Sequence, residues 1–138
     1  MYELESSIQN KIFDFNQLKE VLEHAGYSLS GAWEYDHGYF DYRLAKDDAY
    51  HFLRIPFHTL NGQIEDKNVA VKLDQPYILT HKYQNDVDAT AESSVVQAAF
   101  NQFQTPVEKD ADIPGEYIEK GKQVLAQLEV ILDHIHRK

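Results

Sequence analysis

Gly31-Ala-Trp-Glu-Tyr-Asp-His-Gly-Tyr-Phe-Asp-Tyr-Arg43 is the stretch on which the reading of the fold turns. One Trp, three Tyr, a Phe, a His and four further ionisable side chains crowd around Asp36-His-Gly38. Aromatic residues suit half-buried strands, and a three-residue loop with Gly where φ must be positive closes a hairpin. The stretch therefore reads as Trp33-Glu-Tyr35 on one strand and Tyr39 to Arg43 on the next. With Tyr35 opposite Tyr39 and Trp33 opposite Asp41, those four side chains share one face of a sheet. His37 then stands exposed at the turn tip.

Downstream, Tyr50-His-Phe-Leu-Arg-Ile55 is apolar at both parities, the pattern of a central strand covered on each side. Pro56 lacks a ladder donor and is expected to end or bulge that strand. Val69-Ala-Val-Lys-Leu73 and Tyr77-Ile-Leu-Thr-His-Lys-Tyr83 follow as further strands, separated by Pro76. Upstream, Asp14-Phe-Asn-Gln17 has the form of a capping box, and Phe15, Leu18, Val21, Leu22 and Ala25 recur at helical spacing before Gly26. This predicts a short helix over residues 15–25.

At the other end, Tyr117, Gly121, Val124, Leu125, Leu128, Ile131, Leu132 and Ile135 form one broad apolar stripe, with Pro114 at the start and His134, His136, Arg137 and Lys138 at the favourable end of the dipole. Residues 93–104 fit an added strand slightly better than a helix, and Asn85-Asp-Val-Asp88 reads as turn or loop. Taken together, residues 1–138 form one α+β domain: an antiparallel meander of about five to six strands with a short N-terminal and a long C-terminal helix.

The 138 residues carry 13 Lys and Arg against 23 Asp and Glu, a formal charge of −10 that repels phosphate backbones and anionic membrane faces. Nucleic acid and membrane are therefore not expected as partners. The absence of cysteine removes disulfides and thiolate chemistry together and suits a reducing cytoplasm. No apolar run reaches the length of a membrane span.

Catalytic and cofactor motifs are wanting. Serines lie on no nucleophile elbow, glycines form neither a dinucleotide fingerprint nor a Walker loop, and Glu34 and Asp41 point to opposite faces. Asp36, His37, Asp41, His51, His58 and His81 could in principle converge from neighbouring strands, but their spacing specifies no metal site. Asp41 is expected to meet His51 or Arg54, most simply as a cross-strand ion pair or hydrogen bond.

The blocks Gly31 to Tyr42, Phe52-Leu-Arg-Ile-Pro-Phe57, Gln75-Pro-Tyr-Ile-Leu79 and Ala99-Phe-Asn-Gln-Phe103, in that order along nearly the whole chain, resemble the YugN-like family of small proteins from Bacillus and related bacteria. The resemblance implies a compact α+β domain in the cytoplasm and carries over no activity, substrate or catalytic residue.

Two functional readings follow. The first is a non-enzymatic domain without cofactor that acts through protein contact, most simply as a homodimer, using the tyrosine-rich hairpin and the long terminal helix. The second is a small-ligand or metal-assisted pocket lined by the hairpin, in which Trp33, Tyr35, His37, Tyr39, Asp41, His51 and Arg54 are the candidate binding residues. It requires Asp41 and His51 to converge.

Overall fold

A computed structural model describes residues 1–31, 36–47, 49–64, 68–82 and 113–136. Its elements run β1 (Tyr2–Glu3), β2 (Ile12–Asp14), α1 (Phe15–His24), β3 (Ser28–Ser30), β4 (His37–Lys46), β5 (Ala49–Thr59), β6 (Ala70–Leu73), β7 (Tyr77–Lys82) and α2 (Gly115–His136). The α+β expectation is borne out, with seven strands among the described residues. Three of them, β1, β2 and β3, were not expected, each only two or three residues long and too short to leave a period-two signal.

Every strand pairing among the described residues is antiparallel, in the order β1-β7-β5-β4-β3 with β6 between β2 and β5. β5 organises the sheet: β4 runs along one side, while the other is shared by β7, opposite Ala49 to Arg54, and β6, opposite Phe57 to Thr59. The strand passes through Pro56 rather than ending there. Thr59 N donates to Asp36 O at 2.8 Å, so alternation puts Pro56 in a non-hydrogen-bonded pair with Tyr39. On its far side, between the β7 and β6 pairings, Pro56 O still accepts from Asp74 N at 2.8 Å, so only the reciprocal donor of that pair is missing.

Parity along β5 separates two faces. Ala49, His51, Leu53, Ile55 and Phe57 are buried, whereas Tyr50, Phe52, Arg54, Pro56 and His58 are half-buried. Both helices cover the first face. Asp14 caps α1 by accepting from Gln17 N at 3.0 Å, and the buried Phe15, Leu18 and Leu22 turn inward, Phe15 meeting the rings of Phe40 and Phe57 at 6.4 and 5.6 Å. Gly26, at φ +102°, follows the helix as expected.

α2 buries Gly121, Leu125, Leu128 and Leu132 on that face. Gly121 permits the close approach: a β-carbon there would stand 2.5 Å from Ile78 Cδ1 on β7 and 3.5 Å from Leu44 Cδ1 on β4. The register of β4 shifts at Leu44, and Lys120 Nζ donates to the Leu44 carbonyl at 2.7 Å, so the helix satisfies an acceptor next to the bulge. At the other end of α2, Ser6 Oγ donates to Glu129 at 2.7 Å.

The hairpin differs from the sequence reading. His37 and Gly38 lie inside β4, not in a turn, and β4's partner is β3: Ser30 stands opposite Tyr39 and Ser28 opposite Asp41, the positions assigned to Tyr35 and Trp33. Gly38 has no positive φ. It is small because a β-carbon would come 3.1 Å from both Phe57 Cζ and Ser30 O. The positive φ belongs to Gly31, at +71°. Trp33, Tyr35, Asn85 to Asp88 and residues 93–104 lie outside the described residues.

Candidate functional site

Asp41 on β4 and Arg54 on β5 are direct cross-strand partners on the face away from the helices. Their side chains form a two-pronged pair, Arg54 Nε donating to Asp41 Oδ1 at 2.8 Å and Nη2 donating to Oδ2 at 3.0 Å. The guanidinium carbon lies 3.7 Å from the centroid of the Tyr39 ring, a close cation-π stack. Tyr77 stands opposite Arg54 on β7. Burial alone would lower the Arg54 pKa, but the hydrogen bonds and charges of Asp41 and Tyr77 outweigh it and the net shift is upward. The side chain is thus permanently charged and fixed in direction.

Next to this pair is a cavity of about 370 Å³, lined by Tyr39, Arg54, and Tyr77, Leu79, Thr80 and His81 of β7, together with Met1. Tyr77, Leu79 and His81 share the outer face with Arg54 and Phe52 because they alternate along β7 and stand opposite Arg54, Phe52 and Tyr50. The face continues as a Tyr50–Phe52 stack at 5.9 Å, with Arg43 and Lys46 over the Tyr50 ring at 5.9 and 5.6 Å.

Of the residues singled out from the sequence, Tyr39, Asp41 and Arg54 come together. His51 does not join them. It is an odd number of positions from Arg54 on one strand, so it points into the helix-covered face, and its β4 partner is Ala45 rather than Asp41. The pocket built on Asp41 and His51 is thereby corrected. His51 is buried with Nδ1 at 3.0 Å from Thr80 Oγ1 and Nε2 at 3.0 Å from Asp47 Oδ1. A neutral imidazole satisfies both by donating from Nε2 to the carboxylate and accepting from the Thr80 hydroxyl. Tyr117 of α2 lays its ring against His51, centroids 4.1 Å apart, and donates to Asp47 Oδ2 at 2.8 Å. This network fastens α2 to the β4–β5 turn.

His37 is exposed, as expected, but at the start of β4, where it pairs across strands with His58. Each histidine has its own carboxylate: His37 Nδ1 and Asp36 Oδ1 are 2.9 Å apart, His58 Nδ1 and Asp74 Oδ2 3.1 Å. Among the described residues no three His, Cys, Asp or Glu side chains are grouped to hold a metal ion. Sequence reasoning missed Tyr77 and Leu79 because the signal, a period of two along Tyr77-Ile-Leu-Thr-His81, says which residues share a face but not that β7 lies beside β5.

Fold and site together define an α+β domain whose described residues carry two helices on one face of the sheet and an aromatic and ionic cluster on the other. The chain belongs to the YugN-like family, whose model matches residues 3–132. It is 38% identical over 134 residues to "Uncharacterized protein YugN" of Bacillus subtilis (strain 168), covering 97% of this chain and 100% of that protein. The crystal structure of the uncharacterized conserved protein YugN from Geobacillus kaustophilus HTA426 superposes with a TM-score of 0.75 over 100% of both chains at 17% identity, a likeness of fold.

Proposed function

We propose that this is a non-enzymatic cytoplasmic domain that works by binding, and that its binding site is the cavity beside Arg54 on the outer face of the sheet. One observation carries the reading: a charged side chain locked by Asp41 and Tyr39 is presented in a cavity of about 370 Å³ whose other walls are mostly aromatic and aliphatic, with Thr80 and His81 as further polar groups. That combination of apolar walls with a few oriented polar groups, at the lower end of ligand-site volumes of about 300–1,000 Å³, is the usual make-up of a small-molecule site. A chemical-shift screen of neutral, anionic and cationic fragments tests it. Hits should perturb Tyr39, Tyr77 and Leu79 together; hits confined to the helical face would refute it.

A second reading, contact with another copy of the chain through the same face, is favoured by the half-buried Tyr39, Phe52, Pro56, Tyr77 and Leu79 on one side of the sheet. Light scattering over a dilution series decides it: a reversible dimer supports it, and a monomer throughout removes it. Membrane insertion receives no support from the helices, since none among the described residues is long and apolar enough to cross.

A further inference from the structure

We propose that the ligand of this cavity is a small organic carboxylate with an apolar, planar body. This rests on the ligand-binding reading and adds the chemical class. The chain carries a net charge of −10, so a cavity taken at random would be expected to hold carboxylates. The described residues lining this one include no Asp or Glu, while Arg54 and His81 are basic. The lining therefore lacks the negative charge that prevails over the rest of the protein.

Asp41 occupies the Nε and Nη2 side of Arg54. A guanidinium has more N–H groups than these contacts use, and its planar fork matches a carboxylate. Because Asp41 already compensates most of the charge, Arg54 is suited to a monoanion; stripping water from a dianion such as phosphate would need more cationic partners than the described lining supplies. Leu79 and the Tyr77 ring supply the surface for an apolar body, which adds the hydrophobic share of the affinity. Tyr39 backs the guanidinium at 3.7 Å and holds it rigid, lowering the ordering cost of binding.

Benzoate is a suitable probe, with benzamide as its neutral counterpart and inorganic phosphate as a bare anion, titrated into the full chain and followed by two-dimensional ¹H–¹⁵N spectra that include the Arg54 Nε–H. Benzoate should give saturable shifts at Tyr39, Arg54, Tyr77 and Leu79 and bind at least about tenfold more tightly than benzamide, the difference expected when a neutral acceptor replaces a charged one. Phosphate should not saturate, and Leu79→Trp, which fills the cavity, should abolish the benzoate shifts while its own spectrum stays dispersed. Equal binding of benzoate and benzamide would overturn the carboxylate assignment and leave the cavity reading standing. Equal binding of phosphate would overturn the need for an apolar body. No saturable shift with any probe would overturn both the class and the cavity reading. The benzoate and benzamide contrast uses the unaltered chain and does not depend on the variant folding.

Discussion

Replacing Asp41 with Ala isolates the pair on which the outer face is organised. The side chains of Arg54 and Asp41 retain 19% and 10% of their exposure, which puts them between the fully buried case, where loss of one partner costs about 3–5 kcal/mol, and the exposed case of about 0–1 kcal/mol. The two-pronged geometry at 2.8 and 3.0 Å favours the upper half of that interval. Asp41→Ala should therefore destabilise the fold by about 2–3 kcal/mol, chiefly by leaving the guanidinium uncompensated. Arg54→Met keeps a long side chain to lie on Tyr39 but strands the carboxylate, at a similar cost of about 2–3 kcal/mol. The double variant strands neither charge and should lose less than either single one, no more than about 2 kcal/mol, so the coupling is about 3 kcal/mol. Urea unfolding of the four proteins, with the m-value checked for constancy, measures it. Strictly additive losses, with a coupling below about 0.5 kcal/mol, would refute the claim that the two side chains act as a unit.

Three further outcomes follow from other parts of the fold. The Tyr27 hydroxyl is buried with no hydrogen-bond partner among the described residues, so Tyr27→Phe should be neutral or stabilise by up to about 1 kcal/mol. Burial, and secondarily the neighbouring Tyr42, raises its pKa in the folded state; above pH about 10 the unfolded chain releases a proton that the native one keeps, so stability falls with rising pH by up to about 1.4 kcal/mol per unit, and the variant should show a shallower alkaline decline in urea midpoints. Gly121→Val places a branched side chain against the fully buried Ile78 and should cost about 3 kcal/mol in chemical denaturation; a stabilised variant would contradict the close approach of α2. Asp14→Ala removes the α1 cap and should cost about 1 kcal/mol, with Asp14→Asn close to neutral.

Where one local rule governed, the sequence could be read directly. The capped start of α1 and the inward stripe of α2 needed only the helical period and the chemistry of the first turn. β4 and β5 were legible as strands for the same reason, yet their detail was not. Asp36-His-Gly38 has the composition of a turn, but the small residue at 38 answers to Phe57 and Ser30, neighbours that only the folded sheet brings near. Pro56 breaks most strands and survives here because it lies at the junction of the β6 and β7 pairings, where its carbonyl still accepts from Asp74 N and a single donor is forgone.

The site shows the same division. Asp41 and Arg54 were foreseeable as neighbours on adjacent strands. The bulge at Leu44 and the strict alternation of β5 sent His51 to the other face. Tyr77 and Leu79 entered through strand order, which depends on burial of the whole sheet rather than on any short run of residues.

Native mass spectrometry of the untagged chain, purified from its own host, tests the central claim most directly. The account predicts a reproducible small-molecule adduct at one per chain, absent from the Leu79→Trp variant. A bare mass in every preparation, or an adduct that persists in the filled-cavity variant, would contradict it.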